Sequence, residues 1–88
     1  MKLEWNETKH SETLAERGLD FADVAALDWD TALTIEDTRK PYPEVRYVTM
    51  GYIKGRLCVV AWCYRGDAIR VISLRKANSR EVRKYEQS

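Results

Sequence analysis

The densest apolar run in the chain, Leu57 to Tyr64, reads LCVVAWCY with no polar alternation. A strand covered on one face only would alternate, so this run predicts a central strand buried on both faces. Arg46 to Ile53 before it and Ala68 to Arg75 after it are rich in β-branched and aromatic residues and read as its neighbours. Lys54-Gly55 and Arg65-Gly66-Asp67 separate the three runs. Connections this short join only antiparallel partners. Thr31 to Glu36 is also strand-like, and Lys2 to Trp5, apolar at Leu3 and Trp5, reads as an edge strand.

Helical signals lie at both ends. Asn6 is an N-cap with Glu7 in the first turn, and the helix runs to about Arg17, where Gly18 supplies the stop. Its apolar face is thin, with His10, Leu14 and Arg17 on one side and Ala15 near, so it must lie on a sheet. Asp20 caps a second short helix whose Phe21, Val24 and Ala25 follow i, i+3, i+4 spacing, extended by Leu27. Asp37 to Glu44, DTRKPYPE, is a loop, because its two prolines remove donors and disfavour helix before each. Asn78 opens a last helix, Ser79 to about Glu86, and Glu81 three residues on completes a capping box. Val82 and Tyr85 are the only apolar pair of that helix. The expected architecture is α+β: two N-terminal helices, an antiparallel sheet of about four strands and a short C-terminal helix, forming one domain over residues 1–88.

Composition narrows the function classes. Eighty-eight residues with 44% hydrophobic content allow one small core. No apolar run approaches the ~20 residues of a membrane span, and MKLEWNETKH has no apolar signal region. A cytoplasmic protein without membrane association is expected. Cys58 and Cys63 stand five apart on one strand, hence on opposite faces, and cannot bond to each other. With a single His, a Cys/His metal site is not expected, and neither is a cofactor. Residues 1–44 hold five basic and eleven acidic residues, a net of −6, whereas residues 45–88 hold ten and three, a net of +7. The basic half is compatible with nucleic acid; mutual neutralisation of the halves is the plainer alternative.

The stretch YRGDAIRVISLRKANSREVRKY, Tyr64 to Tyr85, concentrates this charge, with seven basic residues against Asp67 and Glu81. A strand there delivers Arg75 and Lys76 beside a helix N-terminus, where basic side chains and backbone N–H groups can meet a phosphate. ISLRKANSREVRKYE also resembles the C-terminal signature of the BrnT family, through Ser73, Arg75, Lys76, Ala77, Glu81 and Tyr85. Leu3, Trp5, Asn6, Lys9, Gly18 and Phe21 match that family's N-terminal order, and Glu44 and Arg46 match the entry to its hairpin. Thr13 stands where the family has Asn, and Glu16-Arg17 where it has Lys-His.

The resemblance implies a RelE-like fold and the toxin of a type II toxin–antitoxin pair, a ribonuclease that arrests translation. It also implies a BrnA-like antitoxin with a ribbon-helix-helix domain, through which alone DNA would be met. Cleavage without metal needs a base for the ribose 2′-OH, an acid for the leaving oxygen and cations for the phosphorane. A two-histidine mechanism is excluded by count, which leaves the Arg, Lys, Tyr and Glu set of RelE-like nucleases. Arg75 and Lys76 are the first candidates, as phosphate clamp and transition-state stabiliser. Tyr85 is a candidate proton donor with a core role as alternative, and Glu81 a candidate base with capping as alternative. Lys9, Arg46, Arg65, Arg70 and Arg80 are candidate RNA contacts, Tyr42 and Tyr52 candidate exposed aromatics. The competing class is a non-catalytic basic module acting as a subunit of a repressor complex. A binder of that kind tolerates Arg↔Lys exchange at Arg75, whereas a catalyst does not.

Overall fold

The computed structural model describes residues 1–87. The elements in order are β1 (Leu3–Trp5), α1 (Glu7–Arg17), a 3-10 helix (Phe21–Ala26), β2 (Leu33–Glu36), β3 (Arg46–Ile53), β4 (Arg56–Arg65), β5 (Ala68–Lys76) and α2 (Ser79–Glu86). The class is α+β, as expected, but the sheet differs from an antiparallel one of about four strands. It has five strands in the order β1-β5-β4-β3-β2, and it is mixed, because β1 runs parallel to β5 through Leu3↔Ile69, Glu4↔Arg70 and Trp5↔Val71. Pairing between segments some 66 residues apart carries no local signal. The expected second helix is a 3-10 turn, capped by the Asp20 carboxylate on the Ala22 N–H.

β4 sits at the centre, and its run from Leu57 to Val60 is buried without a break, as its unalternating pattern requires. Lys54 and Gly55 both take positive φ, 50° and 78°, at the β3–β4 hairpin. Two left-handed residues make the turn whose twist matches its strands, and Gly is the cheap occupant of one of them. Between β4 and β5 the pairing slips: Ala61 faces Ser73 while Trp62 faces Val71, so Ile72 is left without a partner. This bulge turns both Val71 and Leu74 toward the same side.

That side is the core. Val60, Trp62, Val71 and Leu74 meet Phe21, Val24 and Leu27 of the 3-10 segment, with Cys58 and Ile53. Cys58 and Cys63 are both free and buried, on opposite faces of β4. Gly51 brings β3 close under Leu27: a Cβ there would stand 2.8 Å from Leu27 Cδ2 and 3.0 Å from the Ala32 Cβ. The Trp62 indole donates to the buried Thr49 hydroxyl at 2.7 Å, satisfying the polar atom that comes with the ring.

α1 contributes no buried residue. Leu14, expected on its inner face, is 46% exposed; His10 and Thr13 turn inward instead. His10 lies between the Trp5 and Phe21 rings, 5.0 and 5.5 Å from their centroids. Its Nε2 is 2.8 Å from the Asp20 carboxylate and its Nδ1 3.1 Å from that of Glu7. The hydrogen bond to Asp20, opposed by burial and helped by Glu7, raises the His10 pKa. Arg17 closes the far end by donating to the Leu74 carbonyl at 2.9 Å, beyond the reach of β1 along β5.

Two expectations follow. Gly51→Ala overpacks the Leu27 seat and should cost about 1–3 kcal/mol, lowering the melting temperature by at least about 4 °C; an unchanged melting curve would show that Leu27 moves aside freely. His10→Gln should lower the melting temperature most at acid pH. A group whose folded pKa is raised contributes fully below its ordinary value of 6.5, and the contribution fades as pH rises through the raised value. Melting of both proteins at about pH 5.5 and about pH 9 tests this: an equal deficit at both would mean the ring acts by packing alone.

Candidate functional site

The face of the sheet away from α1 carries a groove of about 470 Å³, within the roughly 300–1,000 Å³ usual for ligand sites. Val48, Met50, Val59 and Ala61 form its floor, and Ser73 lies beside them on β5. One wall is the segment Asp37 to Arg39 after β2; the other is Arg75 with Glu81 from the start of α2.

Arg75 reaches this face because of the β5 bulge. Leu74 pairs with buried Val60, so the next residue, opposite Val59, must point the other way. Its side chain is 42% exposed, and its guanidinium grips Glu81 with two parallel bonds, Nη1 to Oε1 and Nη2 to Oε2, both 2.8 Å. Glu81 Oε1 also accepts from the Asn78 N–H at 2.9 Å, and the Asn78 side chain accepts from the Glu81 N–H at 2.8 Å, the expected capping box. The chain's own carboxylate therefore fills the anion seat at this helix start. Arg75 lowers the Glu81 pKa to about 2, with burial opposing. Glu81 in turn raises that of Arg75, against burial and the positive charge of Arg39.

Lys76 does not join Arg75. β5 continues through both residues, and Lys76 lies opposite Cys58 on the core side of the sheet, with its end in solvent. The register places Arg46, Arg65 and Arg70 on the groove face: Cys63 is opposite both Arg46 and Arg70, and Arg65 is opposite Ala68. Arg46 also stacks over the Tyr42 ring at 4.2 Å and lies 3.5 Å from Glu44, and Arg70 lies 3.4 Å from Glu4. Arg80 is exposed in the first turn of α2. Lys9 is exposed on α1, across the sheet from the groove. Tyr85 is on the groove side, but its hydroxyl donates to the Thr31 carbonyl at 2.6 Å and its ring meets that of Tyr52 edge-on at 5.5 Å.

Sequence reasoning read Asp37 to Glu44 as a loop with Tyr42 as a candidate contact, and passed over Asp37 and Arg39. Asp37 there is buried and accepts from Arg39 Nε and Nη2 at 2.9 Å each, from the Arg39 N–H at 3.2 Å and from the Tyr42 hydroxyl at 3.2 Å. These bonds, Arg39's foremost, hold its pKa far below the usual carboxylate range. The available signal was an Asp-x-Arg pair in a half of the chain with only five basic residues.

Among the described residues no three His, Cys, Asp or Glu side chains are grouped to hold a metal ion, and no helix is long and apolar enough to cross a membrane. No curated protein matches the chain. The family model described as the ribonuclease toxin, BrnT, of type II toxin–antitoxin systems matches residues 5–81, from the Trp5 that flanks His10 to the Glu81 that holds Arg75. The chain belongs to the BrnT family of type II toxin–antitoxin ribonuclease toxins.

Proposed function

We propose that the groove on the open sheet face is where this toxin cleaves RNA, with Arg75 on the scissile phosphate. The observation that carries the reading is the pairing of Arg75 with Glu81. It holds the guanidinium of a partly exposed side chain in one orientation at the rim of a groove. A ribose 2′-OH attacking its own 3′-phosphorus builds negative charge on the phosphoryl oxygens while the 5′ oxygen departs. A cation already fixed in place stabilises that charge without reorganising. A carboxylate with a pKa of about 2 is a weak base at neutral pH, so Glu81 acts here by positioning Arg75. Tyr85, tied to Thr31, serves as a proton donor only if that bond opens. Arg46, Arg65 and Arg70, on the same face, guide the RNA backbone, and Arg80 extends the basic rim.

The wider reading follows the family. A type II toxin implies an antitoxin partner and an RNA substrate. In our reading the antitoxin is BrnA-like with a ribbon-helix-helix domain, DNA is reached only through it, and cleavage arrests translation in the cytoplasm. The chain acts as one RelE-like domain, and the cations at the groove do the work a metal would do.

Arg75→Ala should lower the rate of RNA cleavage by ~10²–10³ with little change in melting, since Glu81 keeps its Asn78 bonds. Arg75→Lys should restore little, because an ammonium cannot bridge both Glu81 oxygens. Lys76→Ala, on the other face, should stay within a few-fold of wild type. Cleavage by Arg75→Ala at near wild-type rate, or a collapse of melting together with activity, would remove Arg75 from the chemistry. A lysine variant that cleaves as fast as wild type would reduce Arg75 to a plain charge, and a wild type that binds RNA without cleaving it would favour the non-catalytic binding module.

Cleavage should also persist in EDTA. Both carboxylates that flank Arg39 and Arg75 are engaged by those arginines and leave no open oxygen set for a two-metal site. Activity lost on chelation and regained with Mg²⁺ would overturn this.

A further inference from the structure

We infer that Arg39 is a second phosphate-binding arm, and that with Arg75 it holds a single RNA strand laid across the sheet from β2 to β5. The inference rests on the groove being the RNA site and names what that site takes.

A surface ion pair two residues apart in a loop is ordinarily worth little. This one is built differently. The Asp37 side chain is 5% exposed and Arg39 is 78% exposed. The buried partner receives four hydrogen bonds, one from Tyr42, whose ring in turn carries Arg46. The network fixes a solvent-facing guanidinium, while its Nη1 makes no hydrogen bond among the described residues. Arg75 is held in the same manner by Glu81 on the opposite wall. The two cations are close enough for Arg39's charge to oppose protonation of Arg75. Two like charges held facing one groove suit an anionic ligand between them.

Arg39 and Arg75 enter the groove from its two opposite walls, so a strand laid across the floor meets both. The floor between the arginines is apolar, Val48, Met50, Val59 and Ala61, a surface for an unpaired base. A duplex keeps its bases stacked and paired and has nothing to lay there.

The test uses a single-stranded 2′-O-methyl RNA oligonucleotide, which lacks the attacking hydroxyl, with binding read by fluorescence anisotropy across a salt series. Arg39→Ala should weaken binding about tenfold, one lost charge-assisted contact. It should also make the log–log salt dependence shallower by ~0.7, one phosphate for a single strand. Because Arg39→Ala strands a buried carboxylate, the paired change Asp37→Asn with Arg39→Gln is run beside it and should give the same shallower slope with near wild-type melting. Arg39→Lys keeps the charge and should keep the slope. The same sequence as a duplex should bind more weakly than the single strand. If Arg75→Ala weakens binding while both charge-removing Arg39 variants keep wild-type affinity and slope, Arg39 is a loop staple and this inference fails alone. Equal affinity for duplex overturns the single-strand assignment. A wild type that ignores RNA, or an Arg75→Ala indistinguishable from it in binding and cleavage, overturns the groove reading itself.

Discussion

Burial of Val71 and Leu74 in one core is the constraint on which the site depends. The two residues are three apart, and a regular strand would send them to opposite faces. Both nevertheless pack among Phe21, Val60 and Trp62. The unpartnered Ile72 makes that possible by reversing the parity of the strand midway. Without it, a strand that buries Val71 would also turn Arg75 toward the core. The bulge therefore satisfies the hydrophobic demand and at the same time re-aims an arginine into the groove, a role bulges often have beside functional sites.

The charges on the groove face follow a common plan. Arg75 is held by Glu81 and Arg39 by Asp37, each with two bonds, and in both pairs the carboxylate is the more buried member. A carboxylate so placed is kept ionised by its arginine and orients it, while the arginine's outer side stays in water. Such pairs add little net stability; what they remove is the rotamer freedom of a long side chain, which otherwise has to be lost when a ligand is bound. The acidic first half and the basic second half thus meet at particular pairs, Asp23 with Lys54 and Glu4 with Arg70 among them. The two halves partly neutralise each other while the groove face keeps several arginines.

On the opposite side of the sheet, α1 is anchored by polar contacts more than by apolar ones. His10 sits between two rings and two carboxylates, and Arg17 caps a carbonyl left open where β1 ends. The bond from Arg17 to the Leu74 carbonyl gives it a structural place one residue from Arg75. His10 is separated from the groove by the sheet, so the chain's one imidazole serves the fold.

Much of this was legible locally. The strand extents, both hairpins, the Asn6, Asp20 and Asn78 caps, and the double-sided burial of β4 follow from periodicity, turn chemistry and capping, which act within a few residues. The arginine-rich stretch and its family likeness were legible in the same way, since they reside in residue identity and spacing. Three things were decided only by the tertiary structure. The parallel pairing of β1 with β5 joins segments from opposite ends of the chain. The inward choice of His10 and Thr13 over Leu14 depends on where Trp5 and Phe21 stand. The separation of Arg75 from Lys76, and the approach of Arg39 to Arg75 across three strands, depend on a bulge and a sheet order set by packing. A side chain's direction is a property of the surface its neighbours bury, and that surface does not exist until the strands have been assembled.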